Sequence, residues 1–189
     1  MARIIANRNV SPGYYRMRMH CPGAAARSKP GQFVMVRAGS SIDPLLRRPF
    51  AVHRVCGKSG AAPAAGSPSC IEILYRIAGK GTLLLSRMKT GEEIDLLGPL
   101  GSGFTLPPGI ETAALVAGGI GVAPLLPLAQ FLGRRKRAVS RTVIIGGATR
   151  EDILCRGDFK TTGARVVVST EDGSVGVRGL ATDLLEQSL

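Results

Sequence analysis

Tryptophan is missing altogether, aromatic residues make up only 4% of the chain, and acidic residues are outnumbered 13 to 25 by lysine and arginine. So few aromatics argue against a single-stranded nucleic-acid binder despite the net charge of +12, because base stacking needs aromatic platforms. The basic residues are mostly single and dispersed. The one dense run, Arg134-Arg135-Lys136-Arg137, follows a predicted helix, where cations complement the carbonyl end of the helix dipole. What remains for the charge is to dock an acidic partner protein or the phosphates of a cofactor. No apolar stretch approaches the roughly 20 residues of a membrane helix. Ala113 to Ala117 and Val122 to Leu128 are short and bounded or broken by Gly or Pro, so no span is expected. The amino terminus lacks the basic, apolar and small-residue regions of a secretory signal, which makes the cytoplasm the expected compartment. Cys21, Cys56, Cys70 and Cys155 never fall in a CxxC or other ligand spacing and read as reduced thiols rather than a metal cage or disulfide framework. His20 and His53 lie in strand-like runs with no second ligand beside them and read as structural or surface residues.

Apolar residues at 44% and charged residues at 20% give a globular profile, and 189 residues suffice for one ordinary core or two small ones. The chain is written in two patterns. From Ala2 to about Phe104, short runs alternate apolar and polar residues between Gly, Pro and Ser: Ile4 to Ala6, Tyr14 to Met19, Gln32 to Arg37, Phe50 to Val55, Ile71 to Ile77 and Glu93 to Leu97. Such spacing predicts an antiparallel barrel or sandwich. Gly57 to Ser69, rich in Ala, Gly, Ser and Pro, reads as a long flexible hairpin loop. Beyond a linker at 105–111, Ala113 to Val116, Thr142 to Ile145 and Arg165 to Ser169 read as buried strands. Helices are expected at Val122 to Gly133, Glu151 to Cys155 and Gly179 to Gln187. Alternating strands and helices predict a parallel sheet. The expected architecture is therefore an antiparallel Greek-key β-barrel over 1–104 followed by a Rossmann-like α/β domain over 112–189.

Three segments have the chemistry of phosphate sites. Gly119-Ile120-Gly121-Val122-Ala123-Pro124 sits between a predicted strand and helix. Glycines there let a backbone approach a pyrophosphate, the helix start offers amides and a positive dipole, and Pro124 suits a first helical turn. This is not the GxGxxG fingerprint, and a tight turn that merely packs strand on helix is the competing explanation. Arg47-Arg48-Pro49-Phe50-Ala51-Val52 places two cations before a strand; arginine has the planar donor fork that grips phosphate, although an ordinary basic strand start would look the same. Tyr75-Arg76-Ile77-Ala78-Gly79-Lys80-Gly81-Thr82 joins a strand to a Gly-rich helix start carrying a cation and a hydroxyl. Two such sites in the first half and one in the second suit two dinucleotides meeting at a domain junction.

These segments, together with Lys29-Pro30-Gly31-Gln32-Phe33, Gly98-Pro99-Leu100-Gly101 and Thr170-Glu171-Asp172-Gly173-Ser174, resemble the ferredoxin-reductase-like flavoproteins. Within them the chain is most similar in pattern to the electron-transfer subunits of NAD-linked, two-subunit dihydroorotate dehydrogenases. The resemblance implies an FAD site in which Arg48 holds the phosphates and Pro49, Phe50 and Ala51 line the isoalloxazine. Leu74, Tyr75, Arg76, Lys80, Gly81 and Thr82 complete it, while Gly119, Ile120, Gly121 and Pro124 face NAD. It also implies a heterotetramer with an FMN-containing catalytic subunit that oxidises dihydroorotate in pyrimidine biosynthesis, with electrons relayed through a 2Fe-2S centre to FAD and NAD. A direct hydride transfer between rings needs no catalytic acid or base.

Two departures from the family pattern stand out. Ala51 occupies a position where the family has Ser or Thr, leaving only a backbone amide to tune the flavin. The Cys-Gly-Pro segment and cysteine cluster of the family do not occur among these 189 residues, so a truncated subunit is expected rather than a natural short form. Two other functions remain open at this point: a small subunit of a ferredoxin-, sulfide- or hydrogenase-linked NAD(P)H oxidoreductase, and a non-catalytic basic binding module. Arg150, after the second strand of the α/β half, leaves NAD against NADP undecided.

Overall fold

The structure, a computed structural model, describes residues 1–38, 45–57, 68–135, 137 and 139–187. The predicted loop Gly57 to Ser69 falls mostly on 58–67, outside the described residues. The chain divides into two compact units, Met1–Gly103 and Phe104–Leu189.

Unit 1 is an antiparallel, barrel-like sheet. Its strands are β1 (Ala2–Ser11), β2 (Tyr14–His20), β3 (Phe33–Arg37), β4 (Arg48–Ala51), β5 (Arg54–Cys56), β6 (Cys70–Arg76) and β7 (Glu93–Leu100), in the order β4-β3-β7-β1-β2-β6-β5. Alternation sends Ile4, Met17, Met19, Val34, Val36, Ile71, Ile73 and Ile94 into one core, each no more than 1% exposed. Complete burial of such a side chain contributes about 1.5–3 kcal/mol. Two helices, α1 (Pro22–Arg27) and α2 (Lys80–Arg87), close this core with Ala25 and Leu85.

The predicted strand Phe50 to Val55 is two strands. The amide of Val52 donates to Gln32 O beside β3, and the next amide, His53, donates to Glu72 O on β6. The chain changes partner between these residues, so the ladder breaks although the apolar pattern runs on. Glu72 itself is buried at 2% exposure among Arg16, Arg18 and Arg54, with Arg18 Nη2 3.1 Å from Oε2. Nothing in the sequence announces helix α1, because Pro-Gly-Ala-Ala-Ala-Arg carries no apolar period.

Unit 2 is a four-stranded parallel sheet in the order β11-β10-β9-β8, formed by β8 (Thr112–Gly118), β9 (Ser140–Gly147), β10 (Arg165–Thr170) and β11 (Val177–Arg178). The helices α3 (Leu125–Gly133), α4 (Arg156–Lys160) and α5 (Ala181–Glu186) accompany it. Buried Leu126, Leu128, Leu132, Val143, Ile144, Ile145 and Phe159 make the second core. The predicted helix from Val122 starts at Leu125 instead, because Gly119 to Val122 forms a 3-10 turn in which Ala123 donates to Ile120 O. The helix expected at Glu151 to Cys155 is a 3-10 turn at Arg150–Asp152, and α4 follows only after Cys155, whose left-handed φ of 60° interrupts the helical path. No helix of the described residues is long and apolar enough to cross a membrane.

None of the four cysteines is in a disulfide, and burial pushes the Cys21 and Cys56 thiols up to about 11 from an ordinary 9.0. The same cause raises the Tyr75 hydroxyl. In each case the folded state holds its proton more tightly than the unfolded chain; for the two cysteines the stability this contributes is complete below pH 9 and falls as pH rises toward 11, and for Tyr75 the loss begins higher. Denaturant midpoints taken at pH 8 and pH 10.5 will show this loss. A Cys21→Ala/Cys56→Ala variant will show a shallower one, and an equally steep decline in that variant would assign the effect elsewhere.

Candidate functional site

The two arginines before β4 part company. Arg47 turns to Asp95 on β7, Nη2 to Oδ2 at 2.7 Å, where Arg37 Nε also approaches to 3.3 Å. Arg48 faces α2: a Cβ added at Gly81 would lie 2.6 Å from its Cζ, so glycine is what lets the guanidinium lie across the first turn of the helix. Its Nη1 donates to Leu46 O at 2.6 Å. A short folded loop thus aims the donor fork at a helix start, where the first amides have no intrahelical acceptor. Arginine and helix dipole are both positive, and an anion between them would be held by both.

Thr82 builds this helix start from within. Its Oγ1 accepts from the amides of Ala78 at 2.9 Å and Gly79 at 3.2 Å and donates to Gly79 O at 3.0 Å. Lys80 is exposed beside it. On β4, Pro49 is exposed, Phe50 and Ala51 are half-buried, and the Phe50 ring meets Tyr75 edge-on at 5.8 Å. Leu74 and Tyr75 are buried at 3% and 2% exposure, and the Arg76 guanidinium lies 5.5 Å over the Tyr14 ring. The structure therefore brings Arg48, Phe50, Gly81 and Thr82 into one neighbourhood. Tyr75 enters it through contact with Phe50, while Leu74 turns into the protein and Arg76 packs on Tyr14. Not recognised from sequence were Asn7, which meets Tyr75 and the end of α2, and Asp95, which holds Arg47 beside Arg48.

In unit 2 the glycine segment leaves the carboxyl end of β8, the end at which open α/β sheets bind ligands. Gly119 has φ +48°, a left-handed conformation, and Ile120 is 36% exposed. A Cβ at Gly118 or Gly121 would meet no protein atom within 4 Å. Close packing of strand on helix therefore does not account for these two glycines, whereas approach of a ligand from outside would. Pro124 stands as the N-cap of α3. Arg150 is committed internally: its amide donates to Ser174 Oγ and its Nη2 to Ser174 O, both at 2.8 Å. Beside it, hydrogen bonds from Thr149 to Glu151 and from Ser174 to Asp172 hold both carboxyls below their ordinary range.

No family model matches the chain. The electron transfer subunit of dihydroorotate dehydrogenase B (NAD(+)) from Desulforamulus reducens is 41% identical over 188 residues, covering 100% of this chain and 68% of that protein. The chain belongs to this family. The same subunit from Geobacillus thermodenitrificans is 37% identical over 186 residues, with 97% of this chain and 68% of that protein covered. Among solved structures, the NADH-dependent reduced ferredoxin-NADP oxidoreductase superposes with a TM-score of 0.80 at 26% identity, over 99% of this chain and 62% of that one. A ferredoxin NADP+ reductase from Neisseria gonorrhoeae, solved with bound FAD and NADP, gives 0.78 at 20% identity, over 99% of this chain and 75% of that one. The ferredoxin-reductase-like fold is thereby established, and with it membership among the electron-transfer subunits of an oxidoreductase.

Proposed function

We propose that this chain binds FAD in unit 1 and NAD in unit 2, and carries reducing equivalents between a dihydroorotate-oxidising, FMN-containing partner subunit and NAD. The observation that supports the first site best is Arg48 lying across Gly81 at the start of α2, a guanidinium and a helix start that together suit a phosphate group. The FAD ring would supply the hydride chemistry; the chain supplies placement. Arg48 and the amides of the α2 start neutralise phosphate charge, with Lys80 alongside. Pro49, Phe50 and Ala51 form a short strand edge against which a flat ring can lie. Of Leu74, Tyr75 and Arg76 on β6, Tyr75 backs that strand through its ring contact with Phe50.

In unit 2, Gly119, Ile120, Gly121 and Pro124 form an open turn for a dinucleotide backbone. Arg150 is engaged with Ser174, and the carboxylates of Glu151 and Asp172 would repel a 2'-phosphate, which favours NAD over NADP. The cysteines do not fit a 2Fe-2S centre. Cys21, Cys56 and Cys70 are buried in unit 1, Cys155 belongs to unit 2, and burial holds Cys21 and Cys56 as thiols rather than as ligating thiolates.

The deciding experiment is the absorbance spectrum of the purified protein, with acid release and identification of the chromophore. Bound FAD is the expected result. A folded protein that stays colourless after incubation with excess FAD overturns the proposal.

A further inference from the structure

One side chain ties the carboxyl end of α2 to Tyr75 on β6, away from where the anion would lie. Asn7, in the middle of β1, faces inward opposite Met17. Its Nδ2 donates to Leu85 O at 2.8 Å and Met88 O at 3.0 Å, with Ser86 O at 3.4 Å, and its Oδ1 accepts from Tyr75 at 3.0 Å. The amide orientation is fixed by chemistry: backbone carbonyls can only accept, so the NH2 must face them. Asn7 thus caps the C-terminus of α2 from a strand far away in the sequence, doing the work that a C-terminal glycine or a local donor does elsewhere. Tyr75 in turn carries the edge-on ring of Phe50 from β4. The strand that bears Arg48 and the helix that bears Gly81 are both referenced to this pair.

We infer that Asn7 is a positioning residue for the anion cradle, acting through the carbonyl end of α2 and through Tyr75 to set the helix start against Arg48. This inference rests on the FAD reading of that site. An eight-residue helix moves as a rod, so loosening its far end shifts the near end where the phosphate would be held. Tyr75 has the same standing: its hydroxyl serves Asn7, and its ring serves Phe50.

The test is a double-mutant cycle on FAD affinity with wild type, Asn7→Ala, Arg48→Ala and the double variant. Asn7→Ala is expected to weaken FAD binding about tenfold in the wild-type background, from the loss of its bonds to the carboxyl end of α2 and a displaced cradle. In the Arg48→Ala background the same change is expected to cost less than about threefold, because the cradle is already lost. Equal factors in both backgrounds would mean that Asn7 only supports the fold, and an unchanged affinity in the wild-type background would remove the inference outright. Should Asn7→Ala fail to fold, the near-isosteric Asn7→Asp replaces it: the carboxylate can still accept from Tyr75 but cannot donate to Leu85 and Met88, and the same pattern is expected. A wild-type protein that does not take up FAD would defeat the proposed function and this inference with it. An additive cycle in a protein that binds FAD defeats the inference alone.

Discussion

Gly81→Val is expected to weaken FAD binding at the proposed site while leaving the protein folded. A Cβ at this position would come within 2.6 Å of Arg48 Cζ, and the atoms it meets are those of a flexible side chain rather than backbone. The branched side chain will therefore push the guanidinium off the helix start without unpicking the sheet. Two charge-assisted hydrogen bonds lost with it are worth roughly a hundredfold in affinity. Flavin fluorescence titration measures this directly, with far-UV circular dichroism confirming the fold. Gly81→Ala should sit between wild type and valine. An affinity within threefold of wild type in Gly81→Val would show that Arg48 and the α2 start do not hold the ligand together.

Gly121→Val is the opposite case. Here an added side chain meets no protein atom within 4 Å, and the residue is not among the glycines with positive φ, so the unliganded protein should tolerate it. Surface changes of this kind usually alter stability by no more than about 0.5 kcal/mol. NADH-driven flavin reduction is nevertheless expected to fall about a hundredfold, because a dinucleotide backbone held roughly 1 Å too far away loses its reactive geometry. Stopped-flow reduction and thermal unfolding, run on the same preparation, separate the two effects. Loss of stability without loss of rate would restore the view of this turn as ordinary packing.

The fold class was legible because its signals are local. Runs of alternating residues mark the strands of unit 1, and the change to apolar strands followed by helices marks unit 2. What escaped depended on partners far away in the chain. Val52 and His53 continue an alternating run, and only the switch of hydrogen-bond partner from Gln32 to Glu72 ends β4 and begins β5. The glycines at 119 and 121 were visible, but their 3-10 turn, which delays α3 to Leu125, was not written in any single residue. For the site, Arg48 and Gly81 could each be picked out, yet their approach across 33 residues of sequence is a product of the barrel. Asn7 gave a faint signal, since Asn is depleted in strands. Its acceptor Leu85 O lies 78 residues away.

The buried carboxylate of Glu72 among Arg16, Arg18 and Arg54 also bears on how this basic composition should be understood. The chain carries nineteen arginines and only six lysines. Several of those arginines are fasteners: three converge on Glu72, two on Asp95, and Arg141 joins α3 to the turn after α4 by donating to Ala129 O and Thr162 O. A forked, permanently charged donor can bridge two elements at once, which a single ammonium on a floppy stem does poorly. An otherwise identical protein with lysine at every arginine position would keep its isoelectric character and lose much of its internal bracing. Much of the positive charge here is joinery, holding strands together in a chain that has no disulfides and no tryptophan to do it.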